Sequence, residues 1–138
     1  MASTVKVRIM EGALISVVGP QVDAAANRAA QAARGRAISN IRRLGLVATG
    51  EMIQGLQVRR SVGAAQPLVA RYDVYSTARH TVFQELGTRP HGPVRAPRLV
   101  FRPKGSSKVV YAKWVRGVTP GYFLTDAVRD TRLEDFTK

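Results

Sequence analysis

Residues Pro20–Gly45, PQVDAAANRAAQAARGRAISNIRRLG, decide the fold because a single helical pattern runs through all of them. At about 100° per residue, one stripe of this segment is apolar and the arginines lie opposite it. The stripe contains Val22, Ala26, Ala29, Ala30, Ala33, Ala37, Ile41 and Leu44, and the opposite side carries Arg28, Arg36, Arg42 and Arg43. Pro20 suits the first turn of a helix and Asp23 its positive end. The pattern predicts a long amphipathic helix over residues 20–46, with side chains small enough for close packing on a sheet or another helix.

The segments on either side of this helix alternate as strands do. TVKVRIM, residues 4–10, has apolar residues at every second position and predicts a strand within an N-terminal strand or arm, residues 1–19. After the helix, Gly45 is a candidate end and Thr49 a candidate cap for a short new turn. Strands are predicted for residues 56–60 and in LVARYDVYST, residues 68–77, followed by a short helix in ARHTVFQELG, residues 78–87.

The last third of the chain predicts a loop, a hairpin and a final helix. Residues 86–98 are rich in proline and arginine and indicate an extended basic loop. RLVFRP and KVVYAKWVRGV flank the turn KGSS and predict a β-hairpin over residues 98–118, with cover expected on both faces. TPGYFLTDAVRDTRL has helical spacing, and residues 131–138 are expected to form a flexible tail. Together these predict one α+β domain, residues 1–138, with the long helix on a mostly antiparallel, twisted sheet.

Composition limits the classes of protein to consider. The chain has 138 residues, 45% hydrophobic and 22% charged, which is typical of one globular domain. It contains no cysteine, so disulfides and thiolate metal sites are excluded and a reducing compartment is expected. The longest apolar run, GALISVVG, is too short to span a membrane. We therefore expect a protein that is made soluble in the cytoplasm and does not enter a membrane.

The charge of the chain is large and unevenly distributed. It carries 22 basic and 9 acidic residues, a net charge of +13, which indicates an acidic or polyanionic partner. Eight basic residues and no acid fall between Leu86 and Thr125, while four of the acids lie close together near the C-terminus. Such a division favours pairing with copies of the chain or with neighbours of opposite charge. A solvated surface that keeps the protein soluble is the alternative.

Catalytic and metal chemistry find little support in the sequence. His80, Glu85, His91 and Asp73 are the candidate groups, but their spacing places no two of them at i, i+4 on one helix, as a metalloprotease helix requires. PKGSSK lacks the order and gap of a Walker A loop and is interpreted as a hairpin turn. We expect no catalytic residue, no metal site and no cofactor. In this interpretation Glu85 is a surface or interface carboxylate, paired with an arginine, and the histidines are loop residues.

Three short motifs, taken in order, resemble the gene-ten-product-like family of tailed-phage neck proteins. That family has a long N-terminal helix, a TG-x-L-type turn, a helix ending in v-E-x-G-T, and a P-x-F-l-x-x-A segment that opens the last helix. The matching positions are Thr49 and Gly50, then Glu85, Gly87 and Thr88, and then Pro120, Phe123, Leu124 and Ala127. Met52 stands near the family's leucine, and two residues separate Pro120 from Phe123. The resemblance covers residues 20–130.

The resemblance implies a structural virion protein in the neck of a long-tailed bacteriophage. A ring of six or twelve copies would join the DNA-filled head to the tail around the DNA channel, in a tail completion or terminator role, with adjoining head-completion and tail proteins as partners. It would be made in the host cytoplasm. Nonspecific contact with phage DNA is expected on charge grounds, and a basic DNA-binding or packaging accessory protein is the alternative function. The expected interface or DNA-channel residues are Arg36, Arg42, Arg43, Arg89, Arg95, Arg98, Arg102, Lys104 and Lys108.

Overall fold

The structure is a computed structural model that describes residues 11–47, 49–61 and 68–137. The strand predicted over residues 4–10 lies outside the described residues. The elements are α1 (Glu11–Arg43), α2 (Glu51–Gly55), β1 (Leu56–Arg60), β2 (Tyr72–Ser76), α3 (Thr81–Leu86), β3 (Leu99–Phe101), β4 (Val110–Ala112), α4 (Phe123–Arg129) and a 3-10 helix (Leu133–Phe136). The α+β class is confirmed, because the long helix packs on a two-stranded antiparallel sheet beside a second hairpin and a short C-terminal helix.

The long helix begins earlier than its sequence pattern predicted. α1 is helical from Glu11, so Pro20 lies inside it and residues 11–19 are not a strand or arm. Proline lacks one N–H and crowds the preceding turn, which costs about 3 kcal/mol in a helix interior but affects a single turn. The apolar run before Pro20 therefore continues the helix through the proline. Over 33 residues, α1 is about 50 Å long.

The end of α1 is marked by a glycine, as the sequence predicted. Gly45 has a φ of 67°, a left-handed conformation that glycine adopts without penalty. The Leu46 N–H donates to the Ile41 carbonyl at 3.1 Å, and the Gly45 N–H donates to the Arg42 carbonyl at 3.0 Å. This pair of bonds is the Schellman arrangement, which satisfies carbonyls that a helix end leaves without partners. It turns the chain toward α2.

The core is small and built around the alanine stripe of α1. Ten hydrophobic residues are buried among those described, and six of them are alanines. The main cluster contains Ala37, Ile41, Met52, Leu56, Ala78, Phe123 and Ala127. Leu44, at the end of the predicted stripe, is 41% exposed because it lies beyond the last helical turn. Alanines let α4 and the β1–β2 sheet approach α1 closely, but they bury little apolar area.

Polar contacts fix the β1–β2 sheet on the helix. β1 and β2 pair antiparallel from Leu56 opposite Ser76 to Arg60 opposite Tyr72. The Arg34 Nε donates to the Leu56 carbonyl at 2.7 Å at one end of this sheet. At the other end, Asp23 accepts the Tyr72 hydroxyl at 2.8 Å and pairs with Arg60 at 2.9 Å. Asp23 thus connects the helix to both strands instead of serving the helix start.

The strands do not form one continuous sheet. β3 and β4 pair antiparallel in a second two-stranded sheet, with Val100 opposite Tyr111. One face of this hairpin lacks the cover that was expected on both, since Val100 and Tyr111, which lie opposite each other, are 60% and 63% exposed. Both strands of the hairpin are three residues long, too short to wrap around the body.

The C-terminal segment is ordered against α1, so the flexible tail predicted for residues 131–138 is wrong as far as residue 137. Its 3-10 helix contacts α1, and Arg36 donates through one Nη atom to both carboxylate oxygens of Asp135 at 2.7 Å. Arg28 donates to the Phe136 carbonyl at 2.9 Å. The acidic residues near the C-terminus were expected to pair with basic residues of other copies. Asp135 instead pairs with Arg36 of its own chain.

Candidate functional site: a basic arm on a buried junction

The second and third motif segments meet in space at a junction, which we define as residues 84–88 and 118–125. The Gly121 N–H donates to the Gln84 carbonyl at 2.8 Å, and the Tyr122 N–H donates to the Glu85 carbonyl at 3.2 Å. On the other side, the Thr88 N–H donates to the Val118 carbonyl at 2.9 Å. Segments thirty or more positions apart in the sequence are thereby joined by backbone bonds.

Glu85 is at the centre of the junction and is not the surface carboxylate that the sequence suggested. It is 8% exposed and accepts three hydrogen bonds from the start of α4. Its donors are the Leu124 N–H at 2.9 Å, the Thr125 N–H at 2.7 Å and the Thr125 hydroxyl at 2.6 Å. The first N–H groups of a helix have no intrahelical partner, so a carboxylate placed there satisfies them and complements the helix dipole. Glu85 therefore acts as the cap of α4 from a distant part of the chain.

Gly87 allows the chain to leave this junction. Its φ of 72° and ψ of 177° belong to a backbone region that is essentially restricted to glycine. A β-carbon at this position would lie 2.5 Å from the Val118 carbonyl oxygen and 2.7 Å from the Pro120 Cδ. Gly87 and Pro120, which belong to different motifs, are thus in direct contact. The remaining motif residues of this group, Phe123 and Ala127, are buried under α1.

The first motif lies at the end of α1 and starts α2. Gly50 has a φ of 78°, and the Thr49 hydroxyl accepts the Glu51 N–H at 3.4 Å. These residues line a shallow pocket of about 190 Å³ together with Lys104. Lys104, in the turn of the second hairpin, donates to the Gly45 carbonyl there. The hairpin turn therefore touches the segment that carries the first motif.

The predicted basic loop and the predicted hairpin form one structure, which we call the arm, residues 88–118. His91 and Val115 exchange two backbone hydrogen bonds at 3.0 and 2.9 Å. Residues 92–98 separate this base of the arm from β3, whereas only Lys113 and Trp114 separate it from β4. The register changes there, because the base pairs His91 with Val115 whereas the hairpin pairs Leu99 with Ala112. The expected extended loop is thus partly a β-ladder.

The arm exposes most of the basic residues expected at an interface. Its eight basic side chains are all exposed, and none forms an ion pair with a carboxylate among the described residues; they are Arg89, Arg95, Arg98, Arg102, Lys104, Lys108, Lys113 and Arg116. The arm contains no acidic residue. Exposed apolar side chains lie between the charges, including Trp114 at 64% and Val94 at 96%.

The three arginines of α1 in the predicted interface differ in their exposure and in their partners. Arg36 is half-buried, with its side chain 31% exposed, and binds Asp135, so it is removed from the candidate interface. Arg42 and Arg43 are exposed on the last turn of α1. Sequence reasoning missed the roles of Arg28 and Arg34, whose guanidinium groups bind backbone carbonyls. Carbonyl acceptors leave no pattern in a sequence, so no signal could have found these contacts.

The candidate catalytic groups do not converge. The Glu85 oxygens are occupied by three donors, and His91 lies in the arm ladder. His80 is 4.0 Å from Glu51, at the other end of α3 from Glu85. Within residues 11–47, 49–61 and 68–137, no group of three or more potential ligands is placed to hold a metal ion. In that same part of the chain, no helix is long and apolar enough to cross a membrane.

One pKa in the described residues is clearly shifted. The hydrogen bond from the Tyr72 hydroxyl to Asp23, with smaller contributions from burial and from the negative charge of Asp23, raises the pKa of Tyr72 above its usual value. Arg60 opposes the shift. This group belongs to the contact between α1 and the sheet and not to the arm, so it serves the fold.

Comparison with known proteins gives no assignment. No protein-family model, no curated protein and no solved structure matches this chain.

Proposed function

We propose that this protein is a structural component of the neck of a long-tailed bacteriophage, a ring of six or twelve copies that joins the DNA-filled head to the tail. It would act by assembly and not by catalysis. Its partners would be further copies of the chain and the adjoining head and tail proteins, in the virion neck and, before assembly, in the host cytoplasm. The proposal begins from the order of the three motifs in the sequence.

The observation that carries the proposal is the junction at the base of the arm. The residues that produce the resemblance are structural there: Glu85 caps α4, Gly87 contacts Pro120, and Phe123 is buried. Such residues would support a shared fold and leave the surface of the arm to vary. This is what an assembly protein needs when the same body must meet different neighbours.

The balance of buried and exposed apolar residues also supports an assembly role. Among the described residues, four large hydrophobic side chains besides the six alanines are buried, whereas eighteen large hydrophobic side chains are exposed. On α3, Val82, Phe83 and Leu86 are 51%, 53% and 60% exposed on neighbouring turns. Proteins that act alone rarely expose grouped apolar side chains, whereas subunits of assemblies bury them against each other.

The test is to remove the arm and keep its base. Residues 92–114 are replaced by Asn-Gly, a two-residue turn suited to the hydrogen-bonded pair His91 and Val115. In the phage that carries the gene, this variant should yield DNA-filled heads and separate tails, seen by electron microscopy of lysates. Arg79→Gln, an exposed change on the body, is the control and should give joined particles.

Two outcomes oppose the proposal. Joined, infectious particles from the armless variant would remove the arm from any joining role. Empty heads in place of filled ones would favour the alternative of a DNA-packaging accessory protein, because packaging precedes joining. Circular dichroism of the purified variant should match the wild type in helix content, since every helix of the described residues lies outside residues 92–114.

A further inference from the structure

We infer that the arm is a binding element for the phosphate backbone of double-stranded DNA, without sequence specificity. The inference deepens the proposed function and rests on it for its setting, the DNA channel of the neck. The binding itself is a property of the isolated protein. It can therefore be measured whether or not the protein is found in a neck.

Positive charge without acidic partners is concentrated in the arm. The arm's 31 residues carry eight of the chain's 22 basic residues and none of its acids. All eight side chains are exposed and lack an acidic partner in the described part of the chain. On the body, by contrast, arginines such as Arg36, Arg59 and Arg60 pair with carboxylates. A polyanion would relieve the repulsion within the arm and release its own counterions.

The arm is long and narrow. Residues 108–118, which contain β4 and the bridge residue Val115, would span about 30 Å if fully extended. That length is close to one turn of B-DNA, about 34 Å. A two-stranded antiparallel ribbon is also narrow enough to follow a DNA groove. The arm therefore has the length and the width to track phosphates along one turn.

The charges are distributed over the ribbon. Val100 lies opposite Tyr111, and Arg98, Arg102 and Lys113 each lie one position beyond an end of β3 or β4, where continued strand alternation would place them on that same face. In the base ladder, the pairing of His91 with Val115 places Arg89 and Arg116 on opposite faces. A protein partner would cover one face. Charges on both faces suit a ribbon that lies in a DNA groove, because phosphates flank a groove on both sides.

The arm lacks the side chains that read adenine and cytosine. It contains no asparagine, glutamine, aspartate or glutamate, the residues that recognise adenine and cytosine edges. Arginine and lysine remain; they can contact guanine, but their bonds to phosphates carry no sequence information. Tyr111, 63% exposed at the centre of one face, adds a hydroxyl that can donate to a phosphate. The expected binding is therefore nonspecific.

The experiment is a salt titration with a fluorescein-labelled random-sequence duplex of about one to three helical turns, read by fluorescence anisotropy. If all eight cations meet phosphates, the slope of log K against log salt is about −7, and affinity falls about 10⁴-fold between 50 and 200 mM salt. The triple variant R98Q/R102Q/K113Q neutralises one face of the arm. Its slope should be shallower by about 2 to 3, leaving a fall of only about 500-fold over the same range.

The matched control removes three exposed charges of the body that lie outside the candidate interface, as R71Q/R79Q/R132Q. It should leave the slope within about one of the wild type, because these arginines lie outside the arm. An equal loss of slope in both variants would overturn the inference and make the binding a property of net charge. A wild-type protein with no salt-dependent DNA binding would also overturn it.

A protein partner is the competing explanation for the arm, because apolar side chains accompany its charges. Sedimentation velocity of the same variants tests it. If R98Q/R102Q/K113Q binds DNA as the wild type does but loses self-association, the arm is an interface between copies and the inference is overturned. If DNA affinity falls while self-association is unchanged, the inference stands even where no neck role is found.

Discussion

Glu85 shows how one residue can hold two distant segments together. We predict that Glu85→Ala lowers the free energy of unfolding by about 2 kcal/mol, because three donors at the start of α4 lose their acceptor. Urea unfolding measures the change. The matched control is Glu51→Gln at a side chain that is 62% exposed, where a change below about 0.5 kcal/mol is expected. Equal stabilities for Glu85→Ala and the wild type would contradict the capping role.

Glycine substitutions separate backbone strain from steric overlap. Gly87 and Gly105 have similar φ angles, 72° and 79°, but a β-carbon at Gly105 would meet nothing within 4 Å. We predict that Gly105→Ala costs about 1 kcal/mol, through the left-handed conformation alone. Gly87→Ala should cost at least about 3 kcal/mol, because it adds overlap with Val118 and Pro120 to a conformation restricted to glycine. Thermal unfolding of the two variants compares them, and similar losses would show that the junction is loosely packed.

Tyr72 gives the protein a predictable response to alkaline pH. Its pKa is raised above the ordinary value near 10, chiefly by the hydrogen bond to Asp23. The folded state therefore holds the proton more tightly than the unfolded state does. The contribution of this group to stability is complete below pH 10 and is lost as the pH rises through the higher folded pKa.

Absorbance at 295 nm, as the difference between the wild type and Tyr72→Phe, isolates this titration. Asp23→Ala should return the pKa of Tyr72 toward its ordinary value, because it removes both the hydrogen-bond acceptor and the negative charge beside the hydroxyl. A Tyr72 that titrates as an ordinary exposed tyrosine in the wild type would disprove the contact between α1 and β2 at this point.

At the scale of elements, the C-terminal 3-10 helix is held by the pairing of Arg36 with Asp135. The two side chains are 31% and 13% exposed, so solvent weakens their attraction only in part. A double-mutant cycle of Arg36→Ala and Asp135→Ala should give a coupling of about 1 kcal/mol. The Arg132 N–H also donates a hydrogen bond to Asp135. This bond is lost in both variants that carry Asp135→Ala, so it cancels in the coupling energy.

A second ion pair on the same part of the chain is the control. Arg129 and Asp126 are 3.8 Å apart, three positions apart on α4, with side chains 74% and 46% exposed. Their coupling should be no more than about 0.5 kcal/mol. A coupling between Arg36 and Asp135 that is as small as this would mean that the segment is not held by its charges.

The helices show which structural features can be predicted from local sequence patterns. The alanine stripe predicted the buried face of α1, because a repeat of about 3.6 residues directly describes a helix surface. The start of α1 was wrong, since Pro20 was given the first-turn position that proline prefers, whereas the helix accommodates it internally. The tail was also wrong, because a partner such as Arg36, 99 positions before Asp135, leaves no local pattern.

The candidate site was predictable only in part. The eight charges of the arm are visible in the sequence, and so is the hairpin. The ladder at its base was missed because Pro90 and Pro93 indicate a loop, although His91 between them pairs with Val115. The role of Glu85 was misjudged because burial depends on how α3 and α4 meet, which is a property of tertiary packing and not of the local residues.

At the scale of the whole molecule, the small alanine core and the exposed arm both lead us to expect binding partners. A body that buries few large side chains and exposes many gains stability from neighbours, and a basic arm gains from a polyanion. A ring of subunits around packaged DNA, as proposed above, would supply both kinds of partner. In that proposal the motif residues lie inside the fold and the arm is available to partners.

The measurement that tests this most directly is the position of the protein in assembled particles. A tagged copy, labelled with gold and viewed by electron microscopy, should show label at the head–tail junction of each joined particle. Label that is absent from the particles, or spread through the DNA-filled head, would contradict the account and favour a basic accessory protein that binds DNA.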